Sequence, residues 1–153
     1  MKKHTHIHRY LNSILALVTL LMVAALSGCA PVVEEPPSVD GNWLLVELNE
    51  EPVQVSQVVG LQQPTLSLVE ESGKASGTSG VNRFSCTYTF DGEALSLGPI
   101  AVTKMMGPPD AQAFEDKYLA ALQEVDAAAV VNGNLQLYGE ARLLAVYEPA
   151  PGE

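Results

Sequence analysis

The side chains able to do covalent or acid–base chemistry are few in kind and unevenly placed. All three histidines, His4, His6 and His8, fall within the first ten residues. Beyond them no Ser-His-Asp triad and no histidine metal site can be built. Ser79 lies in Gly77-Thr78-Ser79-Gly80-Val81-Asn82-Arg83-Phe84, a stretch that suggests a phosphate cradle or a nucleophilic serine. A P-loop needs Lys-Ser/Thr opening a helix, whereas an alternating strand pattern follows here, and a G-x-S-x-G elbow is absent. The stretch reads instead as a turn, its glycines supplying positive φ and Asn82 fixing it with its side chain. Eighteen Asp and Glu residues allow many acid/base pairs of the glycosidase kind, Glu47 with Glu93 among them, but nothing singles one out. Glu70-Glu71 offers weak surface calcium binding without a D-x-D-x-D-G loop. The expectation is no catalytic residue, no metal site and no cofactor.

Two thiols remain, Cys29 and Cys86. Cys86 falls on the apolar face of a strand pattern and reads as a small buried hydrophobe rather than a redox centre. Met105 and Met106 read as gap-filling core. Cys29 has a different setting. Lys2, Lys3 and Arg9 precede an apolar run, Ile14 to Leu26, broken only by Thr19, which is the n-region and h-region of a signal peptide. As a helix that run spans about 20 Å, short of the roughly 30 Å hydrocarbon core, so a permanent span is the weaker reading. It closes on Leu26-Ser27-Gly28-Cys29, which resembles the lipobox of bacterial lipoproteins. The resemblance implies cleavage after residue 28, diacylglycerol on the Cys29 sulfur and anchoring through its acyl chains, palmitate among them. The residue after Cys29 is Ala30 rather than the Asp of an inner-membrane retention signal. This implies the outer membrane, facing the periplasm, in a Gram-negative cell, or the outer face of the plasma membrane in a Gram-positive one.

Cleavage there leaves five Lys and Arg against all eighteen Asp and Glu, formally −13. Such acidity disfavours nucleic acid and anionic lipid surfaces as partners and otherwise reads as a solvated surface. Cys86 is then the single thiol outside the anchor, so no internal disulfide is expected.

The elements that position these residues follow a period of two. Residues 29–40 form a lipidated cysteine and a Pro- and Glu-rich tether, 41–147 one domain, and 148–153 a tail. Within the domain, Asn42–Leu48 and Thr65–Glu70 read as strands separated by a loop over Asn49–Gly60, with a turn at Ser72-Gly73. Arg83–Phe90 is the clearest strand: Phe84, Cys86, Tyr88 and Phe90 share one face, and Arg83, Ser85, Thr87 and Thr89 the other. Asp91-Gly92 turns into Glu93–Leu97, and Asn132-Gly133 joins Val130-Val131 to Leu135–Leu137. Arg142–Tyr147 is the last strand. One helix interrupts them, capped by Asp110 after Pro108-Pro109 and running to about Val125, with Phe114, Tyr118, Leu122 and Val125 on one stripe. Glu115 and Asp116 lie in its early turns, where the helix dipole favours negative charge. The fold class is mainly β with one helix, a small curled antiparallel sheet or barrel closed by that helix.

Four pieces in order resemble a known family. They are Trp43-Leu44-Leu45; Gly77 to Tyr88, similar to G-x-x-G-C-N-x-F/Y-x-G-x-Y; Thr103-Lys104-Met105-Met106-Gly107-Pro108, similar to T-x-M-A-C-P; and the helix Phe114 to Leu122. With Leu135-Gln136-Leu137 they resemble the META domain, the fold of heat-shock-linked HslJ-like envelope proteins, over about 41–147. The resemblance implies a barrel-like antiparallel sheet closed by a helix, usually membrane-anchored or periplasmic, with no established catalytic residues. Its two usual cysteine positions are Val81 and Gly107 here, both lost together, and Cys86 stands where the family has Gly, so a redox role does not transfer.

The functional expectation is a non-enzymatic, membrane-anchored envelope lipoprotein that binds a protein or hydrophobic ligand, with a link to envelope stress. Fold-level analogy to pilot lipoproteins, which hold a lipid or peptide in an apolar cleft, points the same way. An electrostatic adaptor is the alternative, and a carboxylate-dependent hydrolase the third reading. Salt separates the first two, since an electrostatic contact weakens as ionic strength rises.

Overall fold

A computed structural model describes residues 38–151. The expected export segment 1–28, Cys29, the expected tether through Pro37, and Gly152 and Glu153 lie outside the described residues.

Strand patterns and turns alternate through the chain as β1 (Gly41–Leu48), β2 (Glu51–Pro52), β3 (Thr65–Val69), β4 (Lys74–Thr78), β5 (Arg83–Phe90), β6 (Leu95–Leu97) and β7 (Ala101–Val102). Then follow the helix α1 (Pro109–Gln123), β8 (Ala127–Val131), β9 (Asn134–Gly139) and β10 (Arg142–Pro149). All pairings are antiparallel, and the main path runs β6-β5-β4-β3-β1-β10-β9-β8. Its two ends meet through a bridge between Ala94 and Ala127, with Leu95 N–H donating to Asp126 O (3.1 Å) and Ala128 N–H to Glu93 O (2.9 Å). The sheet is therefore a nearly closed barrel, which removes most of the exposed edge that an open sheet presents.

Curling is helped by bulges, and two occur, in neighbouring strand pairs that share β10. The β1–β10 pairing shifts between Leu45 and Glu47, and β10–β9 shifts between Leu143 and Ala145. The first lets Leu45 and Leu48 both point inward, which strict alternation forbids. On β5 the expected faces hold: Phe84 and Tyr88 are buried, Cys86 and Phe90 half-buried, and Arg83, Ser85, Thr87 and Thr89 exposed. The interior is one apolar cluster of Leu, Val, Ala and aromatic side chains from nearly every strand and from α1.

Helix α1 carries Tyr118, Ala121 and Leu122 into that interior, and Val125 follows just beyond its end. Tyr118 is fully enclosed, its ring edge-on to Phe84 at 6.1 Å. Its hydroxyl donates to Thr65 O (3.4 Å) and accepts from the Tyr147 hydroxyl (3.1 Å). Burial pushes both phenols above their ordinary range. Asp110 does not cap the helix: the N-cap is Pro108, without a side-chain bond, and Pro109 opens the first turn. A proline there has φ already helical and lacks the N–H that a cap would satisfy.

Both ends of the domain lie further out than the hydrophobic pattern suggests. Val39 is buried in the core and its carbonyl accepts from Trp43 Nε1 (3.0 Å), so Val39 and Asp40 belong to the domain rather than to a tether reaching residue 40. Strand β10 continues past Tyr147 to Pro149, and Ala150 N–H still donates to Asn42 O (2.7 Å). Pairing with the neighbouring strand orders prolines and acids that composition alone reads as loose.

Candidate functional site

Three polar side chains are buried among the described residues, Ser79, Asn82 and Glu115, and they form one cluster. Strand β4 ends at Thr78, β5 begins at Arg83, and the turn between them leaves backbone donors that no strand partner takes up. Gly80 holds φ +111°, a region that L side chains rarely adopt. Gly77 does not supply positive φ; it lies within β4, and a Cβ there would stand 2.0 Å from Thr65 O on β3.

Glu115, in the second turn of α1, satisfies the β4–β5 turn. Its Oε1 accepts from Ser79 Oγ and from Asn82 N–H (2.8 Å). Its Oε2 accepts from Asn82 Nδ2 (2.7 Å) and Gln112 Nε2 (3.0 Å). Asn82 uses every hydrogen-bonding position of its amide: Nδ2 also donates to Met105 O (3.2 Å), and Oδ1 accepts from Thr103 Oγ1 (2.8 Å) and Met105 N–H (2.6 Å). The Asn82 carbonyl in turn accepts from Ser79 N–H (2.8 Å). One carboxylate and one carboxamide thus tie the β4–β5 turn, the segment before α1 and α1 itself together.

The electrostatics of Glu115 follow from this enclosure. Burial pushes its pKa up, but the side-chain donors of Ser79 and Asn82 and the backbone N–H groups of Asn82 and Val81 outweigh it, and the net shift is downward. A carboxylate so held is a weak base, and Ser79 beside it is fully enclosed. The arrangement is suited to holding a turn rather than to activating a nucleophile.

Beside this lock, Leu61, Val81 and Ala111 form a satellite apolar cluster against which Val55, Val58 and Phe114 pack. Its outer wall opens into a groove of about 530 Å³ between α1 and the β1–β2 hairpin. Leu48, Val53, Val58, Leu61 and Phe114 supply apolar surface; Asn49, Gln54 and Gln57 supply amides; Glu51 and Lys117 carry the charges. Gln57 Nε2 donates to Gln54 Oε1 across a single 3₁₀ turn, Val55–Gln57. Most of this groove comes from the stretch Asn49–Gly60 that sequence pattern reads only as loop.

With the geometry in view, comparison with known proteins is decisive on family and silent on activity. A family model for the META domain matches residues 37–150. The chain belongs to the META domain family. Among solved structures it is similar to an NMR structure of a protein from Burkholderia xenovorans, with 24% identity, 82% of this chain and 97% of that chain covered, and a TM-score of 0.59. It is also similar to a DUF4847 family protein from Bacteroides vulgatus, at 14% identity, covering 74% and 94% of the two chains with a TM-score of 0.52. At these identities the likeness is one of fold. No curated protein matches the chain.

The META domain's departures acquire a physical reason. Val81 and Gly107, the positions where the family resemblance puts cysteines, are in contact: a Cβ built on Gly107 would stand 3.5 Å from Val81 Cβ, within the roughly 3.5–4.5 Å of a disulfide. The same Cβ would stand 2.8 and 2.9 Å from the two Val81 methyl carbons. The valine therefore fits because residue 107 is glycine, and the two replacements belong together.

Other candidates fare differently. Met105 and Met106 are not core: they are 54% and 98% exposed, because Asn82 engages the Met105 backbone and leaves both side chains outward. Cys86 is half-buried and packed against the main core, and burial pushes its thiol pKa up. Glu47 lies on β1 and Glu93 in the turn before β6, with β3, β4 and β5 between them in the sheet. Glu70 and Glu71 form an exposed 3₁₀ turn, and among the described residues no three His, Cys, Asp or Glu side chains group to hold a metal ion. No described helix is long and apolar enough to cross a membrane. Cys29 lies outside the described residues. Sequence reading assigned Glu115 to the helix dipole and missed its role; the signal available was an acid one position after Phe114, on the border of the apolar stripe.

Proposed function

We propose that this META domain is a non-enzymatic binding module of the cell envelope, anchored through lipid on Cys29, that holds a hydrophobic ligand or an apolar protein segment in the groove beside α1. The groove carries the reading: apolar side chains (Leu48, Val53, Val58, Leu61, Phe114) share its lining with nearly as many polar ones, and its size lies within the roughly 300–1,000 Å³ usual for small-molecule sites. The Glu115 lock supports it, because it keeps the α1 wall of the groove in place while the polar groups it uses face inward. The lipobox-like Leu26-Ser27-Gly28-Cys29 supports the anchor, and Ala30 supports the outer membrane in a Gram-negative host.

Two measurements test it. Mass spectrometry of the membrane-extracted chain should find an N-terminal acylated Cys29, and Cys29→Ser should abolish acylation and processing; an unmodified, uncleaved N-terminus overturns the anchor. Native mass spectrometry of the chain from Ala30, exported behind a cleavable leader, should retain a lipid-sized or peptide-sized adduct. A ligand-free domain whose envelope crosslinks vanish as salt rises would replace this reading with the electrostatic adaptor.

A further inference from the structure

Accepting the groove as a ligand site, we propose that its ligand is an anionic amphiphile of the fatty-acid class, with the tail against Val53, Val58, Leu61 and Phe114 and the carboxylate held by Lys117. Lys117 lies three residues after Phe114 on α1, and both line the groove, so ammonium and ring are neighbours on one helical face. Its stem can follow the apolar wall while the charge stays at the mouth. The ion pair among the described residues is Arg142–Glu124, on the surface elsewhere. In a chain with so many more acids than bases, Lys117 is thus a cation bordering apolar surface without a carboxylate partner of its own among the described residues. The rim amides add to this. The carboxamides of Asn49, Gln54 and Gln57 line the same groove and can donate N–H to an anionic head beside Lys117. Glu51 also lines the groove and opposes an anionic head; its sign makes the proposal testable in both directions.

The chain from Ala30 onward suits the experiment, since sheet and core close within residues 38–151. It is titrated with dodecanoate, dodecanol and dodecylammonium below their micelle concentrations, with affinity read by calorimetry and location by NMR shifts at Val53, Val58 and Phe114. Dodecanoate should bind tightest. Lys117→Gln should weaken dodecanoate about tenfold, the scale of one charge-assisted hydrogen bond, and leave dodecanol unchanged. Lys117→Arg should retain binding, and Glu51→Gln should tighten dodecanoate a few-fold, roughly the worth of one partly screened like charge. Equal binding of dodecanol, tighter binding of dodecylammonium, or indifference to Lys117→Gln overturns the anionic ligand while the groove stands. If none of the three shifts the groove residues, the groove reading falls as well.

Discussion

The barrel interior and the turn-bound end beside α1 are both enclosed, yet they are filled by opposite means. Inside the barrel, neighbouring strands satisfy each other's backbone, so the side chains are free to be Leu, Ala, Val and aromatic, with two tyrosine hydroxyls bonded to each other. At the β4–β5 turn the ladder stops, and the three buried polar residues of the described chain gather there. The difference shows where a protein puts a buried charge: at the place where several N–H and O–H donors lack ladder partners, because the hydrogen bonds a carboxylate accepts there offset its desolvation. The apolar interior supplies most of the stability, and the lock supplies the position of α1 and hence of the groove.

The comparison breaks most visibly on the apolar side. Leu137→Ala, at a fully buried position of β9, should cost about 4 kcal/mol by urea denaturation, the sum of lost transfer energy and the cavity left behind. That loss should be the same at pH 7 and at pH 4, since no titrating group is touched.

Restoring a covalent tie at the other end should act with opposite sign. Val81→Cys with Gly107→Cys, in a Cys86→Ser background, should oxidise without rearrangement and add about 3 kcal/mol by closing a loop of roughly 26 residues. The gain should vanish in reductant. A double variant that stays reduced in air would contradict the contact between these positions.

The smallest expected effect sharpens the contrast best. Glu115→Gln should cost about 2 kcal/mol near neutrality, because an amide brings donors where the site already holds donors. The Glu115 pKa lies below its ordinary 4.5 in the fold, so the unfolded chain takes up the proton first as pH falls. The contribution is therefore full above about pH 4.5 and is lost as pH drops through the lower folded value. Glu115→Gln should flatten that part of the acid limb, whereas Leu137→Ala should keep it. An unchanged acid limb in Glu115→Gln would remove the lock from the account.

Much of the architecture was legible because its signals are local. The faces of β5, the Asn132-Gly133 hairpin and the Tyr118–Leu122 stripe each follow from a period of two or 3.6 within a few residues. Asn82 as a turn-fixing side chain was legible for the same reason. Asp110 failed as a cap because Pro109 makes a better first position, and Met105 and Met106 failed as core because hydrophobicity does not report which way a backbone already held by Asn82 will face.

By itself the sequence determined the class of fold and the family pattern, both properties of residue type and short-range spacing. Tertiary structure alone decided that Glu115 is an enclosed acceptor for Ser79 and Asn82, residues 36 and 33 positions away. It also decided that Val81 rests on Gly107, and that residues from 48 to 61 meet Phe114 and Lys117 to make a groove. These contacts depend on how the barrel closes, and closure is a property of the whole sheet that no window of neighbouring residues contains.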